Sequence, residues 1–178
     1  MATTLKEICR FLDEEKLKFR VEEEKNRVLL LFDSSAYVDS EGAKTIHLGI
    51  ATLEAGRAIG VFTHELYSYK EGPHSTAVLG ACLYTSYTTK FVQFEWDPSD
   101  GEIRATVEFP LEDAPLTSTQ LQRALRSLLA VVEEAHPLIR RAIDTGQLGL
   151  PKKEEDEPDK LGAILKLLAM VDPKALEE

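Results

Sequence analysis

Between Leu17 and Phe109 the hydrophobic period of this chain is two, and it breaks only for loops and one short apolar helix. A period of two places alternate side chains on opposite faces of a strand, so most of the first two thirds must form a sheet. Leu17, Phe19 and Val21 alternate with Lys18, Arg20 and Glu22, the pattern of a strand wet on one side. Lys25-Asn26 then turns the chain into Val28–Phe32, whose run of leucines predicts a strand covered on both faces. A loop rich in Asp, Ser and Gly over 33–43 leads to a second hairpin, 44–53 and 57–67. Its turn, Glu54-Ala55-Gly56-Arg57, offers Gly where a positive φ is wanted. Phe91–Trp96 and Glu102–Phe109 make a third hairpin across Asp97-Pro98-Ser99-Asp100-Gly101, where Pro presets φ and Gly supplies the left-handed position. Trp96 alternates with Phe94 and Val92 and is expected in the core.

The period changes to that of a helix three times. Thr4 and Glu7 form a capping box ahead of Leu5, Ile8 and Leu12, which predicts a helix over 4–15. Residues 75–87 carry Val78, Leu79, Cys82 and Leu83 with no polar stripe, so this helix is expected buried between layers. Thr117 and Gln120 open the longest helix, whose stripe is Leu121, Leu125, Leu128, Val132, Ala135 and Ile139. Pro137 predicts a kink or break within it, and Gly146 and Gly149 end it. The order predicts an α+β domain over 1–149, an antiparallel sheet of about six strands with helices packed on it. Residues 150–158, centred on PKKEEDEP, have the composition of a charged linker. A helical tail over 159–178 adds a C-terminal amphipathic helix, expected over 159–171, with Leu161, Ile164, Leu168 and Val171 on one side.

Composition narrows the function. Apolar residues make up 43% of the 178, enough for a core without disulfides or metal. The formal net charge of −10 repels phosphate backbones and anionic lipid, so neither nucleic acid nor a membrane is an expected partner. The N-terminus lacks the basic and apolar regions of a signal peptide, and no apolar run approaches the ~20 residues of a membrane span. The chain therefore reads as cytoplasmic. Cys9 and Cys82 are far apart, without a CxxC partner, and read as small buried hydrophobes.

No motif carries chemistry. The sequence has no GxGxxG, Walker loop, GxSxG or HExxH. A two-residue loop at Ala55-Gly56 would set His47 opposite His64, but zinc needs further ligands and none lies at a motif spacing. No metal, cofactor or catalytic residue is expected. The paired acids Glu22-Glu23-Glu24, Glu112-Asp113 and Glu133-Glu134 read as solvated charge. More informative is the second hairpin, where Ile46, Leu48, Ile50, Ile59 and Val61 share the natural core face. The opposite face carries Gly49, Ala51, Ala58 and Gly60, small residues that allow another element to approach closely.

From Tyr84 to Ile143 the order is a short helix, then KFVQFEWDPSDGEIRATVEFPLED, then PLTSTQLQRALRSLLAVVEEAHPLIRRAI. The Phe-led strand after a helix, the Asp-x-x-Asp-Gly hairpin, the "FPL" exit, the "LT" helix start and the long helix with an internal Pro resemble the YbjN-type family. That resemblance implies a fold similar to type III secretion chaperones, in a family sometimes described as sensory-transduction regulators, with no catalytic residues to carry over. The expected function is a non-enzymatic interaction or chaperone-like adaptor, a homodimer, that buries an apolar segment of a partner protein. The alternative is a sensory domain binding a small molecule between helix and sheet. The expected interface is Gly49, Ala51, Ala58 and Gly60, with Leu161, Ile164 and Leu168 of the tail as a lid that competes with the partner for it.

Overall fold

A computed structural model describes residues 2–150; the linker and tail expected after Leu150 lie outside the described residues. Helix α1 spans Leu5–Glu14 and α2 spans Ser75–Thr88, while α3 spans Ser118–Thr145. The strands are β1 (Phe19–Glu22), β2 (Arg27–Asp33), β3 (Thr45–Leu53), β4 (Ala58–Thr63), β5 (Tyr67–Ser68), β6 (Gln93–Trp96) and β7 (Glu102–Pro110). They form one antiparallel sheet of seven strands. Strands β1 to β4 follow in order, and β7 lies beside β4. Thr106 pairs with both Phe62 and Gln93, so β4 and β6 flank β7 on opposite sides.

Local sequence sets the boundaries. Thr4 caps α1 and Thr117 caps α3, each in a complete capping box with the residue three positions on. Gly146 ends α3 in the left-handed conformation, at φ 71°. The β3–β4 residues pair so that their numbers sum to 111, from Leu48 with Thr63 to Leu53 with Ala58. The third hairpin closes through Asp97, whose carboxylate accepts from Ser99 N at 2.8 Å, and through Gly101 at φ 86°. A Cβ on Gly101 would meet the backbone of Lys70, so both conformation and space demand glycine there.

The core lies between the sheet's inner face and the helices. Val28, Leu30, Leu48, Ile50, Ile59, Val61, Ile103, Ala105 and Val107 face Ile8 and Leu12 of α1, Val78 and Ala81 of α2, and Leu121, Leu125, Leu128, Val132 and Ile139 of α3. Among the described residues no helix is long and apolar enough to cross a membrane.

Several expectations are corrected. The strand expected over 57–67 splits into β4 and β5 because Glu65 takes a left-handed φ of 54°. Helix α3 runs on past Pro137 without a break. Trp96 is 38% exposed rather than core, because β6 lies at the sheet's edge, where its indole N–H donates to Tyr69 O at 3.1 Å. Val21 is also exposed, on the other edge strand.

Candidate protein-binding face

Strand β2 is covered on one side only. Val28 and Leu30 are buried under α1, whereas Leu31 is 65% exposed and Leu29 is half-buried outside the core cluster. The run of leucines predicted cover on both faces; among the described residues the helices cover only one. The strand register then fixes what lies beside these leucines. Arg20, Leu29, Gly49, Phe62 and Thr106 form one row across the outer face. Glu22, Arg27, Ala51, Gly60 and Glu108 form the next. On the other side Leu31 pairs with His47, whose carbonyl accepts from His64 N at 2.9 Å.

The four small residues expected at an interface, Gly49, Ala51, Ala58 and Gly60, therefore do share the outer face, on neighbouring strands. The hairpin's own large side chains fill part of the space above them. A Cβ on Gly49 would lie 2.5 Å from the ring of Phe62, and one on Gly60 would lie 3.1 Å from Leu53 Cδ1. The glycines thus let Phe62 and Leu53 lie flat on the backbone, which levels the surface. Leu161, Ile164 and Leu168, the tail half of the expected interface, lie outside the described residues.

Toward the β1 edge this face deepens into a depression of about 530 Å³, with Leu29 and Leu31 as its apolar wall and Lys18, Arg20 and His47 at its rim. Of these rim groups Lys18 and Arg20 are the cations. Arg20 reaches Glu22 at 2.8 Å and Arg27 reaches the same carboxylate at 2.7 Å. The hydrogen bond from Arg27 leads in holding Glu22 below its ordinary range. His47 and His64 are cross-strand neighbours, yet among the described residues no three His, Cys, Asp or Glu side chains come together as a metal set.

A second uncovered apolar surface lies on α2. Val78, Ala81, Cys82 and Thr85 are buried, but Leu83 is 72% and Tyr87 is 85% exposed. The helix expected between layers is packed on one side only. Burial pushes the Cys82 thiol up to about 12, which leaves it protonated and unreactive.

Sequence reasoning missed a polar cluster beneath the 33–43 loop. Tyr37 OH donates to Leu66 O at 2.7 Å, and Tyr67 OH lies 3.0 Å from His136 Nδ1, with Tyr67 and His136 stacked. Burial and then the Arg140 charge hold His136 below its ordinary range, and burial first pushes Tyr37 up to about 12. These groups are neutral and mutually satisfied, so they tie α3 to the loop rather than poise an acid or a base. The available signal was position: His136 falls on the α3 stripe, four residues after Val132 and three before Ile139. Glu133 is corrected with it, being no solvated charge. Its carboxylate accepts from Ser35 N at 2.8 Å and from Ala36 N at 2.6 Å. Desolvation raises its pKa, but the bonds from Ser35, Ser34 and Ala36 outweigh this and bring it down to about 2.

No protein-family model matches the sequence, and no curated protein matches it. Solved structures that the chain resembles include the following two. The HopA1–SchA chaperone–effector complex is 15% identical at a TM-score of 0.49, over 72% of this chain and 88% of the matched chain. YbjN from E. coli, named as a proposed transcription regulator, is 12% identical at a TM-score of 0.54, over 77% of this chain and 94% of its own. With the element order and topology described above, the chain has the α+β fold of YbjN.

Proposed function

We propose that the chain is a non-enzymatic adaptor that binds an apolar segment of a partner protein on the outer face of its sheet. One observation carries this reading: Leu31, on β2, is 65% exposed beside the small-residue strip of the outer face. Burying one such leucine contributes about 1.5–3 kcal/mol, and Leu29, Phe62 and the Gly49/Ala51/Ala58/Gly60 strip extend the contact. Lys18 and Arg20 border the apolar wall, so the partner segment carries acidic residues beside its apolar ones. The net charge of −10 keeps the rest of the surface soluble and repels nucleic acid. A homodimer accompanies this reading, and sedimentation equilibrium at tens of micromolar checks it; a monomer alone would remove the dimer.

Affinity selection of displayed peptides on the full chain, followed by titration, tests the site. Apolar peptides with acidic flanks are expected. Their affinity falls at least about tenfold, or ~1.4 kcal/mol, for the Leu29→Ser/Leu31→Ser double variant at an unchanged denaturation midpoint. Equal affinity for the variant would reject the outer face as the site.

A further inference from the structure

The first turns of α3 carry cations without counter-charges. We propose that the cleft beside them binds a phosphoryl group, as the free ion or as a phosphate monoester. The cleft measures about 460 Å³ and lies between Glu15, just past the end of α1, and the α3 face that runs from Ser118 to Ser127. A net charge of −10 repels anions from the surface as a whole. An anion is held only where cations gather without matching carboxylates, and Arg123 and Arg126 of the cleft meet that condition. Both are exposed, and neither takes part in an ion pair among the described residues.

Helical spacing brings the donors together. Thr119, Gln122, Arg123 and Arg126 stand at i, i+3, i+4 and i+7 and share one face, while Leu121, Leu125 and Leu128 take the buried one. Side chains on an α-helix lean toward its N-terminus, so both arginines reach back toward the hydroxyls of Ser118 and Thr119. The helix start adds partial positive charge there. Its capping box uses Gln120 N, which donates to Thr117 Oγ1 at 3.2 Å, and Ser118 N and Thr119 N have no acceptor within the helix. Phe91 steadies Arg123, whose Cζ stands 6.0 Å from the ring centroid. Contact with a ring face leaves the N–H edge of the guanidinium free to donate.

Gln122 supplies an independent sign. Its Nε2 is the one buried side-chain polar atom without a hydrogen-bond partner among the described residues. An unsatisfied buried donor costs free energy. Rotation about the last torsion of the side chain, which is soft, turns this donor to an oxyanion in the cleft that Gln122 lines. The donor set then decides the class of ligand. Two guanidiniums, a carboxamide and the hydroxyls of Ser118, Thr119 and Ser127 exceed what the paired oxygens of a carboxylate can use. A phosphoryl group offers three acceptor oxygens and a charge of roughly −1.5 to −2. Glu15 on the opposite wall sets a single carboxylate against the two arginines, so the cleft stays cationic.

Titration of the full chain with inorganic phosphate at constant ionic strength tests the site, read by NMR from the Gln122 side-chain amide and the Nε–H groups of Arg123 and Arg126. These resonances are expected to shift saturably. Affinity falls at least about tenfold in the Arg123→Gln/Arg126→Gln variant, at an unchanged denaturation midpoint because both residues are exposed. Arg126→Gln alone, which keeps the Phe91 contact, weakens binding in the same direction. O-Phosphoserine as a second probe separates the sources: binding at least as tight as phosphate identifies a monoester, and weaker binding identifies the free ion. Acetate at the same concentration leaves the resonances in place. The Leu29→Ser/Leu31→Ser variant binds phosphate as the wild type does, so this site and the outer face fail separately. A shift that grows linearly without saturation, an equal response to acetate, or undiminished binding by the double-Gln variant overturns the proposal.

Discussion

The two faces of one hairpin, β3–β4, share the same backbone with opposite chemistry. Inward, Ile46, Leu48, Ile50, Ile59 and Val61 are all at most 1% exposed against the helices. Outward, Gly49, Ala51, Ala58 and Gly60 leave room that only Phe62 and Leu53 partly fill, beside an exposed Leu31. The inner face supplies stability, because its apolar area is removed from water within the chain itself. The outer face leaves its apolar area available to another molecule. Substitutions on the two faces should therefore separate folding from binding.

The largest effect belongs to the inner side. Leu128 sits fully buried in mid-stripe on α3, and Leu128→Ala should cost ~2–5 kcal/mol through lost transfer energy and a cavity. Denaturant titration measures this, and an unchanged midpoint would mean that the stripe does not face the core. Next comes the close approach on the outer side. Gly49→Ala must displace the Phe62 ring and should cost about 1–3 kcal/mol. A double-mutant cycle with Phe62→Ala should recover most of that cost; additive losses would show that the ring is free to move.

Much of this contrast was legible in the sequence. The alternation in 44–53 and 57–63, with one tight turn, specified the register, and the register alone assigns each residue its face. Capping boxes at Thr4 and Thr117 fixed two helix starts because both partners are local. Coverage was not legible. A run such as Leu29-Leu30-Leu31 looks the same whether a helix or nothing lies on its second side, and the same ambiguity hid the exposed side of α2. Glu133 and His136 were unreadable for a related reason: their partners, Ser35 with Ala36 and Tyr67, are distant in sequence and are brought together only by the fold.

That loop tether gives a smaller, pH-dependent effect. Glu133 is held at about 2 in the fold against an ordinary 4.5. The stability it supplies is therefore fully present above about 4.5 and is lost as pH falls toward about 2. Glu133→Gln should cost on the order of 1 kcal/mol at neutral pH after solvent screening. It should also flatten the acid limb of the stability profile. A variant with the wild-type acid limb would show that the carboxylate does not hold the loop. The smallest effect is back on the outer face, where Leu31→Ser should change the unfolding free energy by no more than about 0.5 kcal/mol. A loss comparable with Leu128→Ala would mean that Leu31 is buried in solution, and the contrast between faces would fail.

Methyl-labelled NMR of the full chain, titrated with a selected apolar peptide, reads the two faces side by side. The methyls of Leu29, Leu31 and Leu53 are expected to shift progressively and saturably, while those of Leu48, Ile50 and Ile59 on the inner face stay in place. Shifts confined to the inner methyls, or to Leu83 on α2 with the outer sheet silent, would contradict this expectation.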